Sequence, residues 1–509
     1  MDANNAFNSV SRAAAIWNTR ILWPRCSRFV FNSYNGFAFL FVAGSSMILL
    51  SKEGVTQGDP LSMPVYALGI LPLISRLKNP MDWIQNWYAD DGGCSAKLKN
   101  LRRWLDILLQ EGPKFGYYPE PSKSFLVVHP DFIGEANDIF KDTQINIVTG
   151  NKFLGGFVGG VDDTCQWIEK KVQGWVSSIK KLAEAAGYQL QAAFTAFTKS
   201  LQSEWIFLQR VTKNVENYFL PIRAAISEGF LPKLFGCDIN DAELNLFCRP
   251  ARYGGLGVHD PIKTSPYQFS ISKNATSYLS NAISKGSDFD LDIHEQTIKN
   301  AINIKKEQEK YWEKDTNDLL ESFPEAQKRC ISRKLNQKCS GWLSIIPLEG
   351  NNFDLSPTEF RDALALRYGL QPVDLSSKCD ADGEDFDLNH ALNCPKGGLV
   401  YGRHNELRDL NCALLEQAGL KQIISEPIIH ETDETQLRAD WAVRGFWEPQ
   451  KQDLFDCCIV NADSSSMIGQ SLESIFNQRK NKKKICIFRS CKSKAGDIYP
   501  YPCHLRCSF

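Results

Sequence analysis

Residues 87–93 read WYADDGG, so two adjacent aspartates, Asp90 and Asp91, lie between an apolar run and two glycines. Adjacent carboxylates repel each other, so such a pair is expected either in an exposed turn or where cations compensate the charge. The string DDG is also common in turns. The surrounding residues 84–96 predict a strand, a tight turn and a second strand, which leaves both alternatives open.

Composition and length restrict the class of protein. The 509 residues are 43% hydrophobic and 23% charged, which is typical of a globular chain of about three or four domains. The net charge of −1 neither requires nor excludes a nucleic-acid partner, because neutrality can hide local basic runs such as RKNKKK at 479–484.

The N-terminal residues do not resemble a secretory signal, and the most apolar window, FAFLFVAGSSMILL at 37–50, is too short to span a bilayer. We predict that this window forms two buried strands around a turn. The 16 cysteines are scattered, and without a signal peptide they indicate a reducing, intracellular compartment.

Two further signals precede the aspartate pair. DANNAFNS begins at Asp2, and EGVTQGDPLSMPVYAL at 53–68 is a glycine-containing turn that leads into an apolar helical pattern. An aspartate strand, a glycine loop with a helix and an Asp-Asp hairpin, in this order, is how a nucleotidyl-transfer palm gathers its carboxylates. Such a palm binds two divalent ions about 3.5–4 Å apart. Because Mg²⁺ uses few carboxylates together with substrate phosphates, Asp2 and Asp90 suffice as ligands, with Asp91 in support.

These strings resemble motifs A, B and C of reverse transcriptases, particularly those of non-LTR retrotransposons. The similarity continues with FGYYPEPSKSFLVV at 115–128, which resembles motif D, and FLGGFVGG at 153–160, which resembles the primer-grip motif E. The resemblance implies that Asp2 and Asp90 hold Mg²⁺, activate the primer 3′-hydroxyl and stabilise the pyrophosphate leaving group.

The resemblance also assigns residues that contact the nucleotide. Phe7 takes the position of the steric gate that excludes a ribose 2′-hydroxyl, although it could instead pack in the core. Gln57 and Gly58 match the motif B pair, whose flexible backbone approaches the incoming nucleotide and the template base. Lys123 matches the motif D general acid, with an ordinary surface lysine as the alternative.

One departure from the family concerns the start of the chain, because Asp2 is its second residue. The resemblance implies a fingers subdomain before motif A, which carries basic residues that grip the triphosphate. We therefore expect a chain that is N-terminally truncated at motif A, with half of the nucleotide pocket missing.

Residues 1–160 thus correspond to an incomplete palm, 161–240 to a thumb-like helical region and 241–370 to a helical connector. The segment 165–186 places apolar residues on one helical face, opposite lysines; these residues are Trp167, Val172, Trp175, Ile179 and Leu182. RPARYGGLGVHDP at 249–261 is interpreted as a structural turn.

Residues 371–400 contain a candidate zinc knuckle. Its C-x2-D-x7-H-x3-C pattern consists of Cys379, Asp382, His390 and Cys394, and four ligands at such spacing suit tetrahedral Zn²⁺. Because closed zinc sites favour sulfur and imidazole, His404 could replace Asp382 as the fourth ligand. The alternative is a set of scattered core cysteines with a hydrogen-bonded histidine.

Residues 401–485 resemble the restriction-like endonuclease of site-specific non-LTR elements. We predict a helix over 403–420 and strands over 421–427, 437–443 and 453–460. Asp440 and Asp456 would lie on neighbouring strands and hold a metal ion that activates water, with help from Glu406 or Glu426. The family's lysine is replaced by Cys458, and Lys482, Lys483 or Lys484 could substitute for it. Residues 486–509 are predicted to be an irregular tail.

The sequence thus predicts an α+β protein with a right-hand polymerase palm lacking fingers, a helical thumb, a zinc knuckle and a small α/β endonuclease-like domain. The implied partners are an RNA template, a DNA primer or target and deoxynucleotides, with no membrane and a nuclear location for the intact element. The intact element would nick DNA and prime reverse transcription from the exposed 3′ end.

Three alternatives remain. A viral RNA-dependent RNA polymerase shares the palm, but Phe7 and YADD in place of GDD argue against it. The chain could also be a metal-dependent endonuclease only, or a catalytically inactive nucleic-acid-binding relic.

Overall fold

The computed structural model describes residues 1–337, 340–431, 436–464, 466–479 and 481. Within these residues the main helices are α1 (Ala6–Ser9), α2 (Arg12–Leu22), α3 (Pro24–Tyr34), α4 (Ser62–Arg76), α5 (Leu98–Glu111), α6 (Ile133–Ile139), α7 (Val161–Ala185), α8 (Leu190–Ala196), α9 (Gln202–Val211), α10 (Leu220–Ala224), α11 (Leu231–Phe235), α12 (Asp241–Phe247), α13 (Pro261–Lys285), α14 (Leu291–Leu320), α15 (Glu325–Gln337), α16 (Pro357–Tyr368), α17 (Leu388–Asn393) and α18 (Leu399–Gln417). A further helix covers 472–479.

The strands are short and pair mostly as hairpins. They are β1 (Ala38–Phe41), β2 (Ile48–Ser51), β3 (Trp83–Tyr88), β4 (Asp91–Ala96), β5 (Phe125–Val127), β6 (Asn146–Val148), β7 (Gly150–Phe153), β8 (Gly156–Gly159), β9 (Ile423–Ser425), β10 (Ile428–Glu431), β11 (Gln436–Arg438), β12 (Trp441–Arg444) and β13 (Gln452–Phe455). β1–β2, β3–β4, β7–β8 and β10–β11 are antiparallel pairs, β5–β6 is parallel, and β13–β12–β9 is an antiparallel three-stranded sheet.

The chain divides into two compact units. The first comprises Met1–Lys180, Lys199–Ile226 and His259–Tyr311, and the second comprises Lys181–Thr198, Ser227–Val258 and the described residues from Trp312 onward. The predominance of helix predicted for 161–370 is confirmed by α7 to α16.

In the first unit, α4 and α5 supply much of one hydrophobic core. The buried residues of α4 recur at helical spacing, with Val65, Tyr66, Ile70 and Leu73 on one face. β3 and β4 form the predicted hairpin, in which Tyr88 pairs with Asp91. The WYADDGG segment therefore contains the tip of a hairpin whose first strand begins in this core at Trp83.

Residues 37–50 form a hairpin, but the prediction that it is buried is wrong. β1 and β2 are joined by a turn, and their side chains are almost all exposed, including Phe39 at 65%, Phe41 at 78% and Leu49 at 48%. Periodicity cannot detect this arrangement, because a continuous apolar run predicts burial on both faces.

The helical face predicted for 165–186 is confirmed. Val172, Trp175 and Ile179 are buried on α7, while Trp167 is half-buried and stacks on Phe157 of β8 with ring centroids 5.3 Å apart. The apolar face of α7 therefore packs against the first unit, as an amphipathic helix requires.

The turn interpretation of 249–261 is also supported for residues 249–258, which belong to the second unit. A Cβ atom on Gly255 would lie 1.9 Å from the Arg249 carbonyl oxygen, and the Tyr368 hydroxyl donates to the Gly254 carbonyl at 2.9 Å. Arg367 is buried and donates to the carbonyls of Ala251 and Gly255. Glycine is required here because the turn packs on itself.

The C-terminal strands differ from the predicted ones. The helix predicted over 403–420 is confirmed by α18, but 437–443 is divided between β11 and β12. The division arises because Ala439 N–H donates to Pro427 O at 3.1 Å whereas Asp440 N–H donates to Phe455 O at 3.0 Å, so the chain changes its partner strand. The strand predicted over 453–460 ends at Phe455.

Candidate functional site

Asp90 occupies the tip of the β3–β4 hairpin. The two turn residues are Ala89 and Asp90, and Ala89 has a φ of 53°, which is strained for a residue with a Cβ atom. The Tyr117 hydroxyl donates to the Asp90 carbonyl at 2.9 Å and holds the tip in place. Strain of this kind concentrates at sites where geometry serves function.

Asp2 is brought to the same hairpin by backbone hydrogen bonds on both sides of its segment. The Met1 ammonium donates to Gly92 O at 2.8 Å, and Gly92 N–H donates to Met1 O at 3.2 Å. On the other side, Asp2 N–H donates to Ser124 Oγ at 2.9 Å and Asp2 O accepts from Glu120 N–H at 2.9 Å. Asp2 therefore lies between β4 and the segment that precedes β5.

The carboxylates influence one another electrostatically. Burial raises the pKa of the Asp91 carboxyl above its ordinary value, and the charges of Asp90 and, less strongly, Asp2 raise it further. Burial lowers the pKa of the Met1 ammonium, and Asp91 and Asp2 oppose that shift. The sequence-predicted trio Asp2, Asp90 and Asp91 is thus gathered into one region of concentrated negative charge.

Carboxylate oxygens are the type of ligand that Mg²⁺ prefers, and a divalent cation would reduce the repulsion between these charges. The carboxylates are not tightly clustered: in the described part of the chain, they do not form a group of three whose oxygens all lie within 4.8 Å of one another.

A cavity of about 700 Å³ adjoins these acids and is lined by Asp2, Asp91, Lys123 and Lys152, among others. Lys123 is exposed at the end of the turn Pro121–Lys123. Lys123 therefore lines the same cavity as Asp2 and Asp91.

Phe7, the predicted gate, stacks on Tyr66 with ring centroids 4.5 Å apart and planes inclined by 14°. Tyr66 is 1% exposed, whereas Phe7 is half-buried. Phe7 therefore packs against the core on one side and remains partly open to solvent. No motif or periodicity indicates this pairing, because the two residues are far apart in the chain.

Gln57 and Gly58 lie in an exposed loop, and Gly58 has a φ of 89° with open space where a Cβ would be. The preceding residues are fixed instead: a Cβ on Gly54 would lie 2.4 Å from Phe7 O, and the buried Arg12 donates to Gly54 O and Glu53 O at 2.9 Å. The loop that resembles motif B therefore begins at the tightly packed Gly54 beside Phe7, and its later residues Gln57 and Gly58 are exposed to solvent.

A second candidate site lies in the second unit. Cys379, Asp382, His390 and Cys394 each offer a ligand atom, and these atoms all lie within 4.8 Å of one another. Cys379 Sγ is 3.9 Å from Cys394 Sγ, which is 3.5 Å from Asp382 Oδ2. His390 Nε2 is buried without a hydrogen-bond partner, 3.3 Å from Asp382 Oδ1.

Local structure explains why these four residues converge. Cys379 begins a tight turn in which Gly383 N–H donates to Cys379 O at 2.8 Å, and Asp387 caps α17 through His390 N–H at 2.6 Å. α17 carries His390, and Cys394 follows immediately after its last residue, Asn393. Two thiols, an imidazole nitrogen without a hydrogen bond and a carboxylate fit Zn²⁺ in a closed, structural arrangement.

The endonuclease candidates lie at one end of the sheet β13–β12–β9. Asp440 immediately precedes β12 and Asp456 immediately follows β13, so they come to the same end of neighbouring strands. Asp440 Oδ2 accepts from Cys457 N–H and lies 3.4 Å from His404 Nε2. His404 therefore contacts Asp440, whereas the ligand atom that converges with those of Cys379, His390 and Cys394 comes from Asp382.

The remaining endonuclease candidates are less closely gathered. Glu426 follows β9 and forms an ion pair with Arg408 of α18, while Glu406 is exposed on that helix. Cys458 is half-buried next to Cys457. Lys482, Lys483, Lys484 and the tail 486–509 lie outside the described residues.

Comparison with known proteins adds no further assignment: no family of proteins matches this sequence, and no curated protein is similar to it. Across the described residues, no helix is both long and apolar enough to cross a membrane.

Proposed function

We propose that the chain carries the palm of an RNA-directed DNA polymerase belonging to a non-LTR retrotransposon polyprotein. The observation that supports this proposal best is the meeting of Asp2 with the Asp90–Asp91 hairpin tip beside a cavity that Lys123 also lines. The substrates are deoxynucleotides, added to a DNA primer on an RNA template.

In this proposal each residue has a defined task. Asp2 and Asp90 would hold Mg²⁺, which would supply activation of the primer 3′-hydroxyl and charge stabilisation of the leaving pyrophosphate. Lys123 Nζ gives a proton to that pyrophosphate, and Phe7 excludes a ribose 2′-hydroxyl. Tyr117 keeps Asp90 in position through the backbone hydrogen bond at its carbonyl.

The test is extension of a labelled DNA primer on an RNA template. Asp90→Asn keeps the shape of the side chain but removes its charge, and we expect it to lower the extension rate by about a thousandfold. Asp106→Asn, on the exposed face of α5, is the matched control and should retain the wild-type rate. Extension that survives Asp90→Asn would contradict the proposal.

An endonuclease is the second candidate function, favoured by the way Asp440 is held between the Cys457 N–H group and His404. In the intact element it would nick target DNA so that the exposed 3′ end primes reverse transcription. Nicking of a supercoiled plasmid should disappear with Asp440→Asn and persist with Glu416→Gln on the exposed surface of α18. Equal nicking by both variants would exclude this site.

The third candidate, a catalytically inactive nucleic-acid-binding relic, predicts binding of a primer–template hybrid without extension or nicking. In each of these functions Zn²⁺ at Cys379, Asp382, His390 and Cys394 would have a structural role, because the two cysteines are buried and Asp382 and His390 are half-buried.

A further inference from the structure

The aromatic pair Phe7–Tyr66 packs in the core of the first unit near Asp90: burial and, less strongly, the charge of Asp90 raise the pKa of the Tyr66 hydroxyl. Their rings lie nearly parallel, with centroids 4.5 Å apart, and Tyr66 is fully buried on α4. Stacking of this kind fixes both the distance and the plane of the outer ring. The half-buried Phe7 ring therefore takes its orientation from a side chain that cannot itself move freely.

The local structure around Phe7 is too weak to orient the ring alone. α1 has four residues, and the residue before it, Asn5, has a φ of 51° in the left-handed region. Helices this short depend on tertiary contacts. The backbone contact at Phe7 is the hydrogen bond from Val55 N–H to Phe7 O at 2.7 Å, which holds the main chain but leaves the ring free to rotate.

The contribution of the Tyr66 hydroxyl can be separated from that of the Tyr66 ring. The hydroxyl is buried without a hydrogen-bond partner. Leaving a buried hydroxyl unpaired costs free energy, so the hydroxyl does not stabilise the fold. The ring and the hydroxyl can therefore be examined independently by two substitutions.

We propose that Tyr66 is a positioning residue that holds the Phe7 ring against the sugar of the incoming nucleotide and so determines selection of deoxyribose over ribose. This inference rests on the proposed polymerase function and adds to it a role for Tyr66, a residue of the stretch 53–68 to which the resemblance assigns no task. The ring of Tyr66 performs the positioning, and its hydroxyl is dispensable for it.

The test is addition of a single nucleotide to a DNA primer on an RNA template by the full chain, with a deoxynucleotide and the matching ribonucleotide compared by kcat/KM. Tyr66→Leu should lower the preference for the deoxynucleotide by about tenfold or more, because the gate ring loses its support. Tyr66→Phe, which keeps the ring, should preserve the preference within about twofold. Phe7→Ala provides the benchmark for complete loss of the gate.

The ratio separates positioning from simple loss of stability. A variant that is partly unfolded adds both nucleotides more slowly, and the ratio of the two kcat/KM values is unchanged. Leu73→Ala, a buried position on the same helix, is the matched control and should lower thermal stability while keeping the preference.

Two results would overturn the inference and are distinguishable. If the wild-type chain selects deoxynucleotides and Tyr66→Leu selects them equally well, the positioning role is wrong while the polymerase proposal stands. If the wild-type chain adds neither nucleotide, the polymerase proposal fails and the role of Tyr66 fails with it.

Discussion

At the scale of single residues, Asp91 carries charge where the fold disfavours it. Burial and the neighbouring charge of Asp90 raise the pKa of its carboxyl. A carboxyl with a raised pKa favours the folded state in its protonated form, and this advantage is lost as the pH rises through the raised pKa. At neutral pH the Asp91 carboxylate therefore destabilises the fold.

Asp91→Asn should consequently raise the melting temperature at pH 7 by about 2 °C. The gain should vanish below about pH 3, where the carboxyl is protonated in both states. Thermal unfolding followed by circular dichroism measures both values. Asp138→Asn, at an exposed position of α6, is the control and should change neither. A lower melting temperature at pH 7 would show that Asp91 makes a stabilising contact instead.

Asp382 is the weakest donor in the candidate zinc group, because thiolates bind Zn²⁺ more strongly than a single carboxylate oxygen does. Asp382→Cys should therefore increase zinc affinity by about tenfold or more, as measured by competition with a chromophoric chelator. Asp380→Cys adds a thiol at a neighbouring exposed position and should leave the affinity unchanged. Equal affinities for all three proteins would mean that Asp382 lies outside the coordination sphere.

At the scale of elements, the turn 249–258 depends on a glycine that only close packing explains. A methyl group on Gly255 would collide with the Arg249 carbonyl at 1.9 Å, and this atom belongs to the backbone and cannot rotate away. Gly255→Ala should destabilise the protein by about 3 kcal/mol or more. Gly402→Ala, in open space within α18, should stabilise it by about 0.5–1 kcal/mol. Urea denaturation of both variants compares the two values directly.

The β1–β2 hairpin, in contrast to the packed turn at Gly255, exposes its apolar side chains to solvent. Phe39→Ser combined with Phe41→Ser should change the free energy of unfolding by less than about 0.5 kcal/mol. Exposed apolar patches of this kind promote association, so the double variant should also self-associate less in sedimentation experiments. Val30→Ser, at a fully buried position of α3, should destabilise the protein strongly. Strong destabilisation by the hairpin variant would show that the strands are packed.

The sequence predicted local elements well because their signals are local. The hairpin at Asp90, the helix from residue 165 and the turn at Gly255 each follow from neighbouring residues. Exposure of β1 and β2, the stacking of Phe7 on Tyr66 and the pairing of His404 with Asp440 depend on tertiary contacts, which periodicity and motif spacing do not encode. The spacing of the candidate ligands around Cys379 predicted that four residues lie close together in the chain, but only the three-dimensional structure shows that their ligand atoms lie within 4.8 Å of one another.

At the scale of the whole molecule, the net charge of −1 means that nucleic-acid binding cannot come from overall attraction. It must come from local lysine and arginine side chains that neutralise phosphates and release counterions. Lys170 and Lys180 are exposed on α7, in the region that the resemblance assigns to the thumb. Under the proposed function, these two lysines would contact the phosphates of a primer–template duplex.

Binding of a fluorescent RNA–DNA hybrid should weaken steeply as the salt concentration is raised. The slope of log K against log salt concentration should be about −0.9 for each phosphate neutralised in a duplex and about −0.7 for each one in a single strand. Lys170→Gln together with Lys180→Gln should make this slope shallower by about 2, since one phosphate contact is lost per lysine. Lys285→Gln, exposed at the end of α13, is the control and should leave the slope unchanged. An affinity that does not vary between low and moderate salt would contradict nucleic-acid binding by this chain, because binding through phosphates always releases counterions and so depends on salt.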